Sequence, residues 1–201
     1  MNTKVRQGFT IIEVVLVLAI AGLIFLMVFV ALPALQRSQR DTQRRNDMSR
    51  VDTSLVQYKT NHSSSSEGLP IGPSYYDATT DNTPGPPNTR ENAKNFVFQY
   101  MNSGSDALIN DFKDPDGTLY NVYISQNIAK SGVPTVTGFP AKIKKNATSE
   151  SWAIDTDFSD HIIYIIPGGT CQDEEFKKGQ SSNYAVLYRL EGAGVYCIDD
   201  Q

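Results

Sequence analysis

The chain has 201 residues, 18 of them basic and 22 acidic, and a formal net charge of −4. This length suits one membrane segment and one globular domain of roughly 140 residues, which is large enough for its own hydrophobic core. The charge is uneven, because residues 1–61 hold 8 Lys/Arg and 4 Asp/Glu whereas residues 62–201 hold 10 and 18. The sequence has no His/Cys set with metal-ligand spacing, no nucleophile elbow and no Gly-rich phosphate loop, which argues against the common enzyme classes.

An uncharged apolar run, Val14–Leu32, follows a short N-terminal segment that carries Lys4 and Arg6. In a helix that rises about 1.5 Å per residue, a run of this length crosses a hydrocarbon core of about 30 Å. Glu13 lies directly before the run, where a charge is costly and needs a partner. The run is longer than the apolar core of about 7–15 residues in a secretory signal. An ordinary single-span anchor accounts for the length but not for Glu13.

The junction reads Gln7-Gly8-Phe9-Thr10-Ile11-Ile12-Glu13. This pattern resembles the leader and N-terminal helix of a type IV prepilin. The resemblance implies that residues 1–8 are a leader, that a prepilin peptidase cuts between Gly8 and Phe9, and that it methylates the new amino group of Phe9. It also implies that Glu13 pairs with the terminal ammonium of a neighbouring subunit. A carboxylate and an ammonium in a low-dielectric fibre core are each costly alone and tolerable together.

The basic residues around the span favour the opposite orientation. Two lie before it and four follow it, namely Arg37, Arg40, Arg44 and Arg45. By this charge rule alone, the long C-terminal part would stay in the cytoplasm. We expect export nevertheless, because the leader motif and the pair of cysteines both indicate an exported domain.

The helix is predicted to continue beyond the membrane segment. Residues 36–47 are polar without Gly or Pro, and Asp41 and Arg45 have the spacing of a helical ion pair. An apolar stripe at helical spacing then follows, formed by Met48, Val51, Leu55 and Tyr58. We predict one helix over residues 9–60, with a transmembrane segment at about residues 14–35. No aromatic residue is interleaved with the arginines, so a solvated or subunit-facing stalk is favoured over a nucleic-acid site.

Residues 61–90 are rich in Ser, Gly and Pro and form a predicted connecting loop. The resemblance identifies this loop with the variable surface segment of pilins. The sequence Asn88-Thr89-Arg90-Glu91 has the form of a capping box and predicts a short helix. Residues 91–201 are the predicted globular head.

The sequence Asp114-Pro115-Asp116-Gly117 predicts a tight turn. A similar turn precedes a strand in the major pseudopilins of type II secretion, whose loops can bind calcium. The resemblance therefore makes Asp111, Asp114 and Asp116 candidate oxygen ligands. The alternative, which we favour, is that these aspartates only form the turn. Neither a resident metal nor a cofactor is expected.

Strands are predicted at residues 119–125, 152–154, 161–166, 184–190 and 195–198. The last two flank Glu191-Gly192-Ala193-Gly194 and have the form of a hairpin. An antiparallel sheet packed on one long helix is an α+β arrangement. The resemblance to pilins implies the same fold.

The chain contains two cysteines, Cys171 and Cys197. In an exported domain an even number of cysteines suggests a disulfide, and pilins commonly carry such a C-terminal loop. Two unpaired buried thiols are the alternative. Residue counting alone permits a Cys171–His161 or Ser–His161–Asp160 arrangement, but we expect His161 to lie at a strand edge. The chain is not expected to be an enzyme.

The function that the resemblance implies is that of a structural subunit of a type IV pilus. The precursor would span the membrane once, and the pilus assembly machinery would polymerise the processed chain into an extracellular homo-oligomeric filament. In this family, such filaments serve cell adhesion, twitching motility, DNA uptake or secretion, and the sequence does not distinguish these roles. A minor pilin or a type II secretion pseudopilin is the alternative within the family. A single-span membrane protein with a binding or enzymatic domain is the alternative from another class, and nucleic acid is not an expected partner.

Overall fold

The computed structural model describes residues 8–63, 68–70, 72–78, 93–101, 112–131, 143–145, 151–154, 161–173, 175–192 and 194–200. The chain forms two units, Met1–Gln39 and Arg40–Gln201. Helix α1, Ile11–Asn61, begins in the first unit and ends in the second. The predicted capping box at residues 88–91 and most of the predicted loop at residues 61–90 lie outside the described residues.

In the first unit, α1 is apolar on every side. Its large apolar side chains are exposed, as at Leu26 (69 %) and Phe29 (73 %). A helix of this kind is typical of a membrane span or of the interior of a larger assembly. Among the described residues, α1 is the one helix that is long and apolar enough to cross a membrane. The helix continues through Pro33, although proline contributes no N–H to the helical hydrogen bonds.

In the second unit, the predicted apolar stripe of α1 is buried. Met48, Val51, Leu55 and Tyr58 are between 0 and 4 % exposed. They share one hydrophobic core with side chains of a β-sheet, such as Val186. The stripe predicted from helical spacing is therefore confirmed.

The other elements of the second unit are short. In chain order they are β1 Ser74–Tyr76, α2 Ala93–Phe96, the π-helical segment Val97–Met101, β2 Asn121–Ile124, α3 Ile128–Ser131, β3 Ile143–Lys145, β4 Ser151–Ile154, β5 Ile162–Pro167, β6 Gly169–Gln172, β7 Glu175–Lys178, β8 Tyr184–Arg189 and β9 Val195–Asp199. The main sheet has the strand order β1-β2-β5-β8-β9, and the small sheet has the order β3-β4-β7-β6.

The long helix and the mostly antiparallel sheets confirm the predicted α+β class. Strands β8 and β9 pair as the predicted hairpin, with Tyr188 opposite Tyr196. Strands β2 and β5 differ from the expectation because they pair in parallel. Parallel neighbours need a long crossover connection. The chain between β2 and β5 supplies it and includes α3, β3 and β4.

The central strands of the main sheet are buried on both faces. Every residue of β5 is buried, and so is all of β8 except its last residue. Ile163 and Ile165 of β5 join the core that contains the α1 stripe. Tyr164 joins a second core with Trp152 and Phe176 of the small sheet. Burial on both faces explains why β5 is a continuous apolar run rather than an alternating one.

Cys171 of β6 and Cys197 of β9 form a disulfide bond, with their Cα atoms 5.8 Å apart. The bond joins the small sheet to the edge strand of the main sheet. It therefore connects two sheets that the described hydrogen-bonded strand pairs leave separate.

Candidate functional site

The predicted processing segment lies directly before α1. Gly8 and Phe9 precede the helix, and the side chain of Phe9 is 92 % exposed. A Cβ atom added at Gly8 would meet nothing within 4 Å. The packing of the described residues therefore does not require glycine at this position. The rest of the predicted leader, residues 1–7, lies outside the described residues.

Thr10 and Glu13 form a capping box at the start of α1. The Thr10 backbone N–H donates to Glu13 Oε2 at 2.9 Å, and the Thr10 hydroxyl donates to the same oxygen at 2.8 Å. The Glu13 backbone N–H lies 3.4 Å from Thr10 Oγ1. This reciprocal arrangement satisfies N–H groups that otherwise have no partner in the first helical turn.

Thr10 belongs to the junction pattern, but its role as the cap of α1 was not predicted. The signal was present, because Thr-x-x-Glu is the sequence pattern of a capping box. The two contacts that hold the Glu13 carboxylate both fall on Oε2. A carboxylate offers about four acceptor positions on its two oxygens. The geometry is therefore compatible with an ammonium as a further partner of Glu13.

A second group of functional interest is an ionic cluster that links α1 to the β-rich part of the second unit. We call it the Arg44 cluster and define it as Arg40, Asp41, Arg44, Asp114 and Glu191. Arg44 binds Asp114 through both carboxylate oxygens, from Nε to Oδ2 at 2.7 Å and from Nη2 to Oδ1 at 2.8 Å. Arg44 Nη1 donates to Asp41 Oδ1 at 3.1 Å. Arg40 binds both oxygens of Glu191, at 2.7 and 2.5 Å.

Asp41 holds the tip of the β8–β9 hairpin. Its two carboxylate oxygens each accept a backbone N–H at 2.8 Å, one from Glu191 and one from Gly192. A Cβ atom at Gly192 would lie 2.9 Å from Asp41 Oδ2. The absence of a side chain at Gly192 therefore allows the carboxylate to approach the backbone this closely.

Asp114 has hydrogen-bond donors at all of its acceptor positions. Besides the two contacts from Arg44, Oδ2 accepts the Tyr188 hydroxyl at 2.8 Å and Oδ1 accepts the Asp116 backbone N–H at 3.1 Å. Burial of the carboxyl group raises the pKa of Asp114, but the hydrogen bonds from Arg44, Tyr188 and Asp116 outweigh it and leave the pKa below the usual value. The hydrogen bonds to Asp114 likewise raise the pKa of Arg44, so the pair is fully ionised.

The aspartates considered as calcium ligands have other contacts. Asp111 lies outside the described residues. Asp114 and Asp116 lie near His161, with His161 Nε2 3.3 Å from Asp116 Oδ2 and Nδ1 3.8 Å from Asp114 Oδ2. An ion bound by Asp114 would have to displace one of its four donors. The turn-forming alternative accounts for the Asp114 contacts, since its backbone also bonds Gly117 and Thr118.

The catalytic arrangements considered for His161 receive no support from the described residues. Cys171 is in a disulfide, so it offers no thiol nucleophile. Asp160 lies outside the described residues. His161 lies one residue before β5, as expected for a strand edge, and its backbone has a positive φ of 75°.

The prediction of a solvated or subunit-facing stalk is wrong at Asp41 and Arg44 of α1. Arg44 and Asp41 are only 5 and 9 % exposed. Asp41 pairs with Arg44 rather than with Arg45, whose guanidinium lies 5.4 Å from the ring centroid of Tyr196. The other partners of Arg44 are Asp114 and Glu191, which are distant in the sequence. No local pattern could therefore have identified them.

Comparison with protein families identifies the N-terminal segment. The family described as the prokaryotic N-terminal methylation motif matches residues 3–29. This motif is the prepilin-type signature of type IV pilins and pseudopilins, and it confirms the predicted resemblance over that stretch. No curated protein and no solved structure matches the chain.

Proposed function

We propose that this chain, which carries the prepilin-type signature, is the precursor of a type IV pilus subunit. Prepilin peptidase would cut it after Gly8 and methylate the amino group of Phe9. The processed chain would polymerise through α1 into an extracellular filament. The observation that carries the proposal is a methylation motif, residues 3–29, on a helix whose N-terminal part is apolar on every side and carries Glu13 in its first turn.

The mechanism is assembly rather than catalysis. Before assembly, the exposed apolar side chains of α1 favour a lipid environment. Each Å² of apolar surface that stays in water costs about 25 cal/mol of free energy. In a filament the same surface packs against α1 of other subunits. Glu13 would set the register, since its carboxylate and the Phe9 ammonium of a neighbour each need a partner where water is excluded.

Two alternatives make different predictions. A minor pilin or a type II secretion pseudopilin would be processed in the same way, and its scarcity in purified filaments would distinguish it from the major subunit. The Asp114-Pro115-Asp116-Gly117 turn is the feature that resembles pseudopilins. A membrane-anchored binding or enzymatic domain would retain its N-terminus and form no filament.

The proposal is tested by the intact mass and N-terminal sequence of the protein isolated from cells that contain prepilin peptidase. We expect a chain that begins at Phe9 and carries one methyl group. The matched control is the same protein from cells without the peptidase, which should begin at Met1. An uncut chain from cells with active peptidase would contradict the proposal.

A further inference from the structure

The apolar contact between α1 and the main sheet does not by itself fix one arrangement. Met48, Val51, Leu55 and Tyr58 are buried against the sheet, but hydrophobic burial is non-directional and scales with area. Apolar cores with the right size and pattern fold even when the detailed fit changes, and they lose uniqueness before they lose stability. An arrangement shifted by one turn along the helix would keep much of this burial, because the stripe repeats at spacings of three and four residues.

The Arg44 cluster is directional. Arg44 binds both oxygens of Asp114 in the turn before β2, and Asp41 binds the backbone of Glu191 and Gly192 at the hairpin tip. These two segments are separate in the sequence, and α1 supplies the groups that meet both. Arginine and carboxylate bond in a bidentate geometry that tolerates little displacement. A small rotation of α1 would break contacts to both segments.

Stability alone does not explain the cluster. Removing charges from water is costly, and apolar replacement of a whole buried ion pair is often neutral or stabilising. The best-attested role of buried ionic and polar groups is to select one register among similar packings. Arg44 and Asp114 meet this description, since their side chains are 7 and 0 % exposed.

We propose that the Arg44 cluster positions the main sheet in one orientation on α1, and that an ordered filament requires this orientation. Arg44 is the central positioning residue. The requirement for an ordered filament rests on the proposed function, because neighbouring subunits in a filament must present the same surfaces at the same height. The positioning of the main sheet on α1 concerns the single chain and does not depend on the proposed function.

The test compares a variant that loses the Arg44–Asp114 pair at the centre of the cluster with one that loses stability. The triple variant Arg44→Met, Asp114→Leu and Tyr188→Phe replaces the guanidinium, the carboxylate and the hydroxyl that bonds it, so no buried charge of the Arg44–Asp114 pair remains. Leu55→Ala is the matched control, because it removes buried apolar volume from the same interface and leaves the cluster intact. Arg44→Lys keeps the charge but cannot bind Asp114 through two nitrogens.

The first measurement is the distance distribution between spin labels at Thr53 of α1 and Ser182, two residues before β8 of the main sheet, both exposed, in the detergent-solubilised full chain. The native cysteines form a disulfide, so introduced cysteines can be labelled selectively. We expect a single narrow distribution for the wild type and for Leu55→Ala. We expect a broad or multiple distribution for the triple variant and for Arg44→Lys. The inference would be overturned if the triple variant and Arg44→Lys both gave a narrow distance distribution at the wild-type distance.

The second measurement pairs thermal stability with filament order. We expect the triple variant to melt within about 5 °C of the wild type and to form few or irregular filaments. Leu55→Ala should melt lower and still form ordered filaments.

Ordered filaments of the triple variant would overturn the requirement for assembly. If the wild type forms no filaments while the label distances behave as expected, the proposed function fails and the positioning role of the cluster stands. If the triple variant does not fold, Arg44→Lys decides by the same two measurements.

Discussion

Glu13 has one set of contacts in the described chain and a different partner in the proposed filament. In the uncut chain its carboxylate caps α1 through Thr10. In the proposed filament the same carboxylate meets an ammonium from another subunit. The Glu13→Gln variant separates the two interactions, because its amide oxygen can still accept the hydrogen bonds of the cap but the side chain has no charge.

We predict that Glu13→Gln and Glu13→Ala are both cut after Gly8 and both fold, yet yield at least about tenfold fewer filaments. An unpaired ammonium in a low-dielectric core costs several kcal/mol, which exceeds the roughly 1.4 kcal/mol that corresponds to tenfold. The measurement is the amount of subunit in sheared filaments relative to total processed subunit. Glu13→Asp serves as a control that keeps the charge. Normal filament yield from Glu13→Gln would show that capping, rather than charge, is what assembly needs.

Asp114 makes stability depend on pH. Its pKa is lower in the folded chain than in the unfolded chain, where aspartate titrates at about 3.9. Such a group contributes its full stabilisation above the unfolded pKa and loses it as the pH falls through the folded pKa. We predict that Asp114→Asn lowers the free energy of unfolding at pH 7, and that its difference from the wild type shrinks below about pH 4. Urea unfolding from pH 3 to pH 7 measures this. A difference that grows toward pH 3 would contradict the assignment of the ion pair.

Gly168 illustrates a position where both backbone and space require glycine. Its φ is +74°, and an added Cβ would lie 2.3 Å from Asn127 Oδ1 and 2.6 Å from the Ala129 nitrogen. Gly117 is a matched control, because its φ is +94° but an added Cβ would meet nothing within 4 Å.

We predict that Gly117→Ala costs about 1–2 kcal/mol for the backbone conformation alone. Gly168→Ala should cost clearly more, since the connection between β5 and β6 must also move away from α3. Denaturant unfolding of both variants gives the comparison. Equal losses would mean that the chain around Gly168 relaxes at little cost.

At the scale of elements, the disulfide joins β6 to β9, and the two cysteines are separated by 26 positions in the sequence. In the chain-entropy view a loop of this size stabilises by about 3 kcal/mol. We predict that Cys171→Ser together with Cys197→Ser lowers the free energy of unfolding by about this amount while α1 keeps its contact with the main sheet. Equilibrium unfolding with and without reductant checks the value, and the double variant should no longer respond to the reductant.

The elements differ in how far local sequence could predict them. The α1 stripe and the β8–β9 hairpin follow from spacing and turn residues, because each depends on near neighbours in the chain. Strands β1, β3, β6 and β7 were not predicted, since each has only three or four residues and no clear alternation. The parallel pairing of β2 and β5 depends on the path of the intervening chain. The Arg44 cluster depends on contacts across 70 and 147 positions, which no window of sequence contains.

At the scale of the whole molecule, the basic residues after the span still oppose the orientation that the proposed function needs. Arg40 and Arg44 are ion-paired in the folded second unit. These pairs form only after the partners at Asp114 and Glu191 have been made and folded, so the arginines still act as free positive charges during insertion. The proposed export of the C-terminal part therefore requires a driving force other than the flanking charge.

We predict that protease added outside intact cells, or outside spheroplasts where an outer membrane is present, removes the second unit of the unassembled precursor. The physical reason is that the proposed export places everything after the span beyond the membrane. A cytoplasmic protein assayed in the same sample should remain intact. Protection of the second unit until the membrane is opened would show that the charge rule, rather than the leader, determines the topology.

The disulfide also has a mechanical consequence. β9 lies at the edge of the main sheet, and β8 is its ladder partner among the described strands. Under tension an edge strand can peel away by breaking its ladder bonds one after another. The covalent link from Cys197 to β6 adds a second attachment in the middle of β9, so peeling would stop at that residue. If the filament bears load, the disulfide would keep β9 of each subunit attached to the rest of the second unit.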